Sequence, residues 1–587
     1  MTAPNNSSPK SPALPRFAAV AWRTLTTALA GRLVRATLTI AVGAFIISAD
    51  AQTPAPVAAV PTAAQMDRGR QVYLKNCFIC HQITGQGVPG SYPPLAKSDF
   101  LMADKERAIR IGCEGIGGEI VVNGIKYDGN MPVVILNDQD VADVLTFVRN
   151  SWGNKGGPVE LAEIAPIRAK TPYPTFADLQ KALAYPPLPT PPEGFTVREV
   201  ARMPANVVRL ASDGRGEILY ALSQNGDVYR VKIATGDVRL VLRAKRYLEH
   251  RPDDIGGPVF ILAMTMDKEG RLYIASNQLN GAHRPIENVV TIYRTSTISP
   301  EGDPADPLPW IQTAYPGSPE YMHCVENMAF GPDGYLYVGN GARTDGGRGT
   351  TDTNYYQGGE TPVTAAMWRF DPKAPKSEPE IYARGLRNPY GFCWNEKGEM
   401  FATEHGPDAD APEELNLIEK GKHYGFPYTF SDWGTRKAYS FSPDPPAGLE
   451  FTPPIVNRGP AGGFYGGPMS TFDPHSAPSG IVWLGDDFPV GWRGTMILTR
   501  FGNFIRTPRD NVGYDVLQAR LHKNAKGIYE AQINTVLAPL GRPIDIHQSG
   551  PGKLYIGEFS RGTNNAASYS PSGRIIELAV KPGANQP

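Results

Sequence analysis

The chain has 587 residues, and 58 Lys and Arg balance 58 Asp and Glu, so it has no formal net charge and no cationic surplus for nucleic acid. Gly (62) and Pro (56) make up about a fifth of it, against an average of roughly 12%. With 10% aromatics and no collagen period, that surplus excludes a helical bundle and predicts many short strands joined by loops, and the length predicts more than one domain.

The N-terminal region carries Arg16, Arg23, Arg32 and Arg35, no acidic residue before Asp50, and an apolar run from Ala36 to Ser48 ending at Ala49-Asp50-Ala51. This is the pattern of an export signal over residues 1–51, cut after Ala51. Its 13 apolar residues are too few for the roughly 20 of a spanning helix. The expectation is a periplasmic protein without stable membrane insertion. Residues 52–65, rich in Ala, Pro, Val and Thr, form a flexible linker. A folded unit spans 66–154. Residues 155–194, with nine prolines between Pro158 and Pro192, form a semi-rigid linker, and a second folded unit spans 195–580.

Cys77-Phe-Ile-Cys-His81 places two thiols two residues apart with a histidine immediately after. In an exported chain this fits covalent haem c, with thioethers at Cys77 and Cys80 and His81 as an axial iron ligand. Zinc would want a second ligand pair, which Cys113 alone does not supply. Gly129-Asn130-Met131-Pro132 offers Met131 in a turn as the second axial ligand, ahead of Met102, which sits in an apolar pair with Leu101. A helix follows, capped by Asn137 with Asp140 completing a capping box, and Val141, Val144, Leu145 and Val148 form its apolar stripe. Together with Gly85-Gln-Gly-Val-Pro-Gly90, Tyr92-Pro-Pro-Leu95 and Leu145-Thr-Phe-Val-Arg-Asn-Ser-Trp152, these residues resemble the class I cytochromes c, a small all-α fold. Sulfur and imidazole ligation raises a haem potential, which suits an electron acceptor.

In the larger unit one phrase recurs, an apolar-aromatic strand start after a turn: Glu217-Ile-Leu-Tyr220, Gly270-Arg-Leu-Tyr273, Gly334-Tyr-Leu-Tyr337, Gly398-Glu-Met-Phe401, Gly494-Thr-Met-Ile497 and Gly552-Lys-Leu-Tyr555. The first four end 53, 64 and 64 residues apart. Six recurrences predict an all-β, six-bladed β-propeller of four-stranded blades, with an insertion between Phe401 and Ile497. Cys324 and Cys393 fall in neighbouring blades, as buried thiols or as a disulfide.

Gly385-Leu-Arg-Asn-Pro-Tyr-Gly-Phe392, Glu404-His-Gly-Pro407, Glu413-Glu-Leu-Asn416 and Gly421-Lys-His-Tyr-Gly-Phe-Pro427 follow one another closely. With His323-Cys-Val-Glu-Asn-Met-Ala-Phe-Gly-Pro-Asp-Gly334, Ala477-Pro-Ser-Gly480 and Gly541-Arg-Pro-Ile-Asp-Ile546, they resemble the glucose/sorbosone dehydrogenase family. These are soluble six-bladed quinoproteins that oxidise sugars with pyrroloquinoline quinone (PQQ) and calcium. The resemblance implies His323 as general base, Arg387 beside the reactive carbonyl of PQQ, and Asn388, Arg500 and Arg542 as further PQQ contacts. It also implies that the main-chain carbonyls of Gly406 and Pro407 bind Ca²⁺. A tricarboxylate quinone needs cationic forks, a hard cation needs oxygen ligands, and an imidazole suits proton abstraction near neutrality.

The sequence departs from the family in three places. Cys324-Val-Glu-Asn327 replaces a Gly-Gly-Arg run, Met322 stands where sugar oxidisers carry an aspartate, and Pro258 where a polar residue touches sugar. These changes make the mouth less polar and suit an aldehyde, an acyclic alcohol or a modified sugar over glucose. The expected function is a quinohaemoprotein dehydrogenase acting on a sugar or aldehyde, passing electrons to its own haem and then to a periplasmic cytochrome or oxidase. Two rivals stand beside it: a non-catalytic carbohydrate- or protein-binding propeller carrying an electron-transfer cytochrome, and an oxidoreductase using haem alone with Met131 displaced.

Overall fold

The computed structural model describes residues 60–169 and 184–583 apart from 83, 88–91, 132–133, 135, 249–258, 281–282, 320–322, 410, 432–436, 462–470, 504–511 and 562–571. The expected export signal, most of the first linker, the middle of the second, Pro132, Pro258 and Met322 lie outside the described residues. Among the described residues no helix is long and apolar enough to cross a membrane.

The small unit contains helices α1 (Ala63–Asn76), α2 (Phe78–His81), α3 (Asp99–Ala103) and α4 (Lys105–Glu114). A hairpin of β1 (Ile116–Val122) and β2 (Ile125–Met131) follows, then helices α5 (Asp138–Arg149) and α6 (Leu161–Arg168). α1 begins where the Thr62 hydroxyl accepts the Gln65 N–H, and it packs closely on α5 because a Cβ at Gly69 would run into the Asp143 carbonyl. α5 starts as its sequence requires: Asn137 accepts the Asp140 N–H at 2.8 Å, and its four stripe residues are buried. Asp140 completes the cap by accepting from the Asn137 side-chain amide, also at 2.8 Å.

Two features differ from the expectation. The hairpin adds strands to an otherwise helical unit, and it carries Met131 at a strand end paired with Ile116 rather than in a turn. Second, α6 occupies part of the stretch read as linker. Its prolines suggested an extended chain, but Val159 and Ile164 are buried in the same core as Tyr73, Leu101 and Ile109. Burial of that apolar face outweighs the proline signal.

Six sheets follow. Blade I comprises Val207–Ala211, Ile218–Ser223, Val228–Lys232 and Val238–Leu242. Blade II comprises Val259–Met266, Leu272–Asn280, Glu287–Ile298 and Pro304–Pro316, and blade III Val325–Phe330, Leu336–Asn340, Ala366–Phe370 and Glu380–Arg384. Blade IV has three strands, Pro389–Trp394, Met400–Glu404 and Glu414–Ile418. Blade V has Pro478–Leu484, Thr495–Arg500, Asp515–Lys523 and Tyr529–Leu537, and Val456–Asn457 from the insertion adds a fifth strand, parallel to the outermost. Blade VI joins Pro543–Gln548, Lys553–Glu558 and Arg574–Val580 to Phe195–Arg202, so the first strand of the ring closes its last blade. All six recurring phrases lead into the second strand of a blade. The four-strand expectation fails at blades IV and V because the chain leaving Ile418 crosses to the edge of blade V instead of completing its own blade.

The innermost strands contact one another in a closed ring, and each of the six carries a register shift. Such bulges re-aim side chains, and here they sit beside the central channel. Arg209, 2% exposed, spans that channel. It donates to the carbonyls of Glu326 (2.7 Å) and Tyr390 (2.9 Å) and pairs with Asp545 (3.2 Å), tying four inner strands together.

Candidate active site

His323 immediately precedes the inner strand of blade III, where its N–H donates to the Ala342 carbonyl at 2.8 Å. The neighbouring strand approaches this closely because residue 341 is glycine; a Cβ there would collide with the His323 Cβ. The bulge between Val325 and Asn327 turns Glu326 back toward the histidine, with Oε1 3.1 Å from Nδ1. On the other side Asn388, from the turn entering blade IV, sets its Nδ2 3.1 Å from His323 Nδ1 and 3.1 Å from His405 Nδ1. His405 Nε2 lies 3.0 Å from the Pro478 carbonyl, and its ring stacks on Tyr390.

This geometry fixes the protons. A carbonyl only accepts, so His405 carries its hydrogen on Nε2 and presents a lone pair at Nδ1. Asn388 therefore directs one NH₂ hydrogen to His405 Nδ1 and the other to Glu326, and its 3.1 Å approach to His323 Nδ1 is not a hydrogen bond in this arrangement. Glu326 then takes the His323 Nδ1–H, which leaves His323 Nε2 as an acceptor. Burial lowers the His323 pKa and Glu326 raises it in part, with a net fall below the usual value. Burial also pushes His405 down to about 3, so it stays neutral. Burial opposes ionisation of Glu326, but His323, His405 and Asn388 outweigh it and hold the carboxyl below its usual range.

Arg387, 1% exposed, adjoins this group. Its N–H is held by buried Glu404, which shares Asn416 with Glu414; burial and the Glu414 charge push Glu404 well up. Its guanidinium pairs with Asp345 and donates to the His405 carbonyl, and Asp408 stands 3.6 Å away. The Tyr439 hydroxyl, from the insertion, also binds Asp345. Burial and the Asp345 charge, opposed by Arg387, push Asp408 up to about 7. Burial likewise raises Glu413 to about 8, although Ser476, Arg387 and Arg500 oppose it.

The structure therefore gathers His323, Arg387 and Asn388 with the residue preceding Gly406-Pro407. Arg500 is gripped by Asp515 through two bonds (2.9 and 2.6 Å), and its buried Nη1, without a hydrogen-bond partner, stands 3.6 Å from the Asp473 carboxylate. Arg542, fully buried, donates to the Gly502 and Asn503 carbonyls (3.3 and 2.9 Å) and lies between Phe501 and Tyr514. Asn388 Oδ1 is also buried without a partner. Buried cations and an orphaned acceptor suit an anionic, polar ring system such as PQQ. Among the described residues no three His, Cys, Asp or Glu side chains gather as a metal-ligand set.

In the small unit, His81 is buried and its Nδ1 lies 2.9 Å from the Pro93 carbonyl, which leaves Nε2 free for iron. Cys77 and Cys80 are free thiols, standing where thioether sulfurs would be, and burial raises them to about 12 and about 11. The residues fit a haem. Met131 is half-buried, whereas Met102 packs into the helical core beside Gly156. Cys113, Cys324 and Cys393 are buried free thiols, so the possible Cys324–Cys393 disulfide is absent.

Comparison with known sequences finds two family matches. Residues 66–152 match the cytochrome c family, and residues 261–504 the glucose/sorbosone dehydrogenase family. The chain joins a cytochrome c to a glucose/sorbosone dehydrogenase domain. Cytochrome c-552 of Thermus thermophilus is 37% identical over 130 residues, covering 20% of this chain and 86% of that protein. Quinoprotein glucose dehydrogenase B of Acinetobacter calcoaceticus is 24% identical over 229 residues, 34% of this chain and 46% of that protein. The PQQ-bound aldose sugar dehydrogenase of Streptomyces coelicolor covers 67% of this chain and all of its own, with 19% identity and a TM-score of 0.45.

The structure also brings to the candidate site groups to which the sequence assigned no role: Glu326, His405, Asp345, Asp408 and Tyr439. Glu326 lay inside the segment that departs from the family, and its carboxylate was the available signal.

Proposed function

We propose that the chain is a periplasmic quinohaemoprotein dehydrogenase. It holds PQQ and Ca²⁺ at the mouth of the propeller, oxidises a sugar, aldose or sorbosone-like aldehyde, and delivers the electrons to its own haem and then to an external cytochrome or oxidase. The observation that carries this reading is the chain Pro478 carbonyl, His405, Asn388, Glu326, His323, which leaves one imidazole nitrogen unprotonated beside a buried arginine.

PQQ supplies the hydride acceptor. His323 Nε2 takes the substrate hydroxyl proton, and Glu326 stabilises the resulting imidazolium through Nδ1–H. Arg387, held by Glu404 and Asp345, presents a fixed positive charge where negative charge develops on the cofactor's carbonyl oxygen. Asn388, Arg500 and Arg542 would bind PQQ, and the Gly406 and Pro407 carbonyls would hold the calcium. His81 Nε2 and Met131 would ligate the haem iron.

Haem-loaded protein reconstituted with PQQ and Ca²⁺ is mixed with aldoses, aldehydes and acyclic alcohols while the haem band is followed. Reduction that requires PQQ supports the proposal. Reduction without PQQ favours haem-only chemistry, and failure to bind PQQ favours a binding propeller.

A further inference from the structure

The haem-binding edge touches the propeller. Phe78, between the two haem cysteines, packs on Phe260 at the start of the inner strand of blade II, with ring centroids 5.4 Å apart. Tyr92 hydrogen-bonds Cys80, and the Asp408 carboxylate of the blade IV loop acts on the same phenol. Arg70 on α1 acts on Tyr355, in the blade III loop. Phe260 of blade II thus meets one edge of the cytochrome, and Tyr355 and Asp408, in the blade III and blade IV loops near His323 and Arg387, lie within electrostatic reach of Arg70 and Tyr92 on that edge.

The tether is pinned as well. Tyr185 lies under the Arg561 guanidinium at 3.8 Å and near that of Arg202 at 4.5 Å, and its hydroxyl accepts from Arg561 at 2.8 Å. Only 15 residues, 170–184, therefore separate Ala169 from Tyr185 along the chain. A short connection of that kind gives an effective concentration in the millimolar range. Docking through a small contact is then substantially populated, and its population depends on a few aromatic side chains.

We propose that Phe78 and Tyr92 form a standing docking surface for the mouth of the propeller, so that the haem is seated over the oxidation site instead of reaching it by a tethered search. The redox role of this surface rests on the function proposed above; the docking does not. Each substrate oxidised releases two electrons and two protons. With both cofactors bound, the electrons would pass one at a time across the docked edge to the haem, an external one-electron oxidant, ferricyanide in the assay, would remove each in turn, and the protons would leave to solvent.

The test uses haem-loaded full-length protein with Phe260→Ala, which leaves the cytochrome's own core intact, and Tyr92→Ala, with Tyr92→Phe as the conservative partner. Without PQQ, hydrogen–deuterium exchange is measured over 259–266, 344–356 and 404–409. Faster exchange in Phe260→Ala and Tyr92→Ala, confined to these segments, is expected, because one aromatic pair carries roughly a two- to tenfold preference. Unchanged exchange in Phe260→Ala overturns the docking. With PQQ, substrate and no added oxidant, haem reduction is expected to be independent of protein concentration. It should slow at least threefold in Phe260→Ala and Tyr92→Ala, recover largely in Tyr92→Phe, and leave direct dye reduction unchanged. A rate proportional to protein concentration overturns the proposal. If exchange responds as expected but no substrate reduces haem through PQQ, the docking stands and the dehydrogenase reading fails.

Discussion

Glu326→Gln tests the proton logic of the site. The exchange is nearly isosteric and removes the carboxylate that stands 3.1 Å from His323 Nδ1. A hydrogen bond to a charged group is worth roughly 1.5–3 kcal/mol and a neutral one roughly 0.5–1.5 kcal/mol, so the imidazolium loses about 1–1.5 kcal/mol. That lowers the His323 pKa by about one unit. The amide can also turn its NH₂ toward Nδ1, which favours the tautomer with hydrogen on Nε2 and removes the base; loss of this control in a Ser-His-Asp site costs about 10⁴ in kcat. The plateau of kcat/KM should therefore fall by about 10²- to 10³-fold, between the two limits. The acid limb gives an independent sign. His323 works when neutral, so activity rises with pH through its pKa, which burial already sets below the usual value against the upward pull of Glu326. In the variant that pull is gone, and the limb moves further toward acid while the plateau drops. Steady-state dye reduction from pH 4 to 8, with PQQ content checked by absorbance, measures both. A plateau within twofold of the parent, or a limb displaced toward alkali, would refute the assignment of Glu326.

Three further outcomes follow from other parts of the structure. Gly341→Ala forces the new Cβ against His323 and should cost about 1–3 kcal/mol by thermal unfolding, with the haem spectrum unchanged; no change in the propeller transition would show that the two strands are looser than described. Glu413, with its pKa at about 8 when folded, binds more protons in the native than in the unfolded state between about pH 4.5 and 8, so cofactor-free protein should lose stability as pH rises through that window. Calorimetry should find this loss reduced in Glu413→Gln, and an equally steep loss there assigns it to other groups. Met131→Ala should lower the haem midpoint potential and change its ligand-field spectrum; an unchanged potential would place the sixth ligand elsewhere.

What the sequence disclosed depended on how local each signal was. A turn followed by an apolar-aromatic strand start is a hairpin signal contained in a few residues, and all six instances lead into second strands. The strand that leaves blade IV incomplete is two residues long and pairs more than seventy residues downstream, so the insertion was visible as a gap but its destination was not. In the candidate site, His323 and Arg387 were singled out because neighbouring motifs fixed their register, and the structure brings both beside Asn388. Glu326 depends on a bulge, which has no local signature. His405 draws its role from a carbonyl 73 residues away, and Asp345 meets Arg387 across 42 residues. α6 was masked by prolines that composition assigned to a linker.

The two domains solve one chemical problem in the same way. A neutral imidazole carries one proton and has two places to put it, and function at either nitrogen requires that the choice be made beforehand. In the cytochrome domain the Pro93 carbonyl faces His81 Nδ1, so the lone pair is at Nε2, where iron would bind. In the dehydrogenase domain the Pro478 carbonyl faces His405 Nε2, so the lone pair is at Nδ1, where it orients the Asn388 amide and through it Glu326 and His323. An acceptor that can never donate makes the choice at each place, and burial lowers the pKa of both rings so that neither is lost to protonation near neutral pH. Because a backbone carbonyl performs this function, replacing the side chain of residue 93 or 478 should leave the tautomers intact as long as the backbone stays in place. Replacing His405 by a residue without a lone pair at that position should release Asn388 and lower the rate of proton abstraction without changing haem ligation.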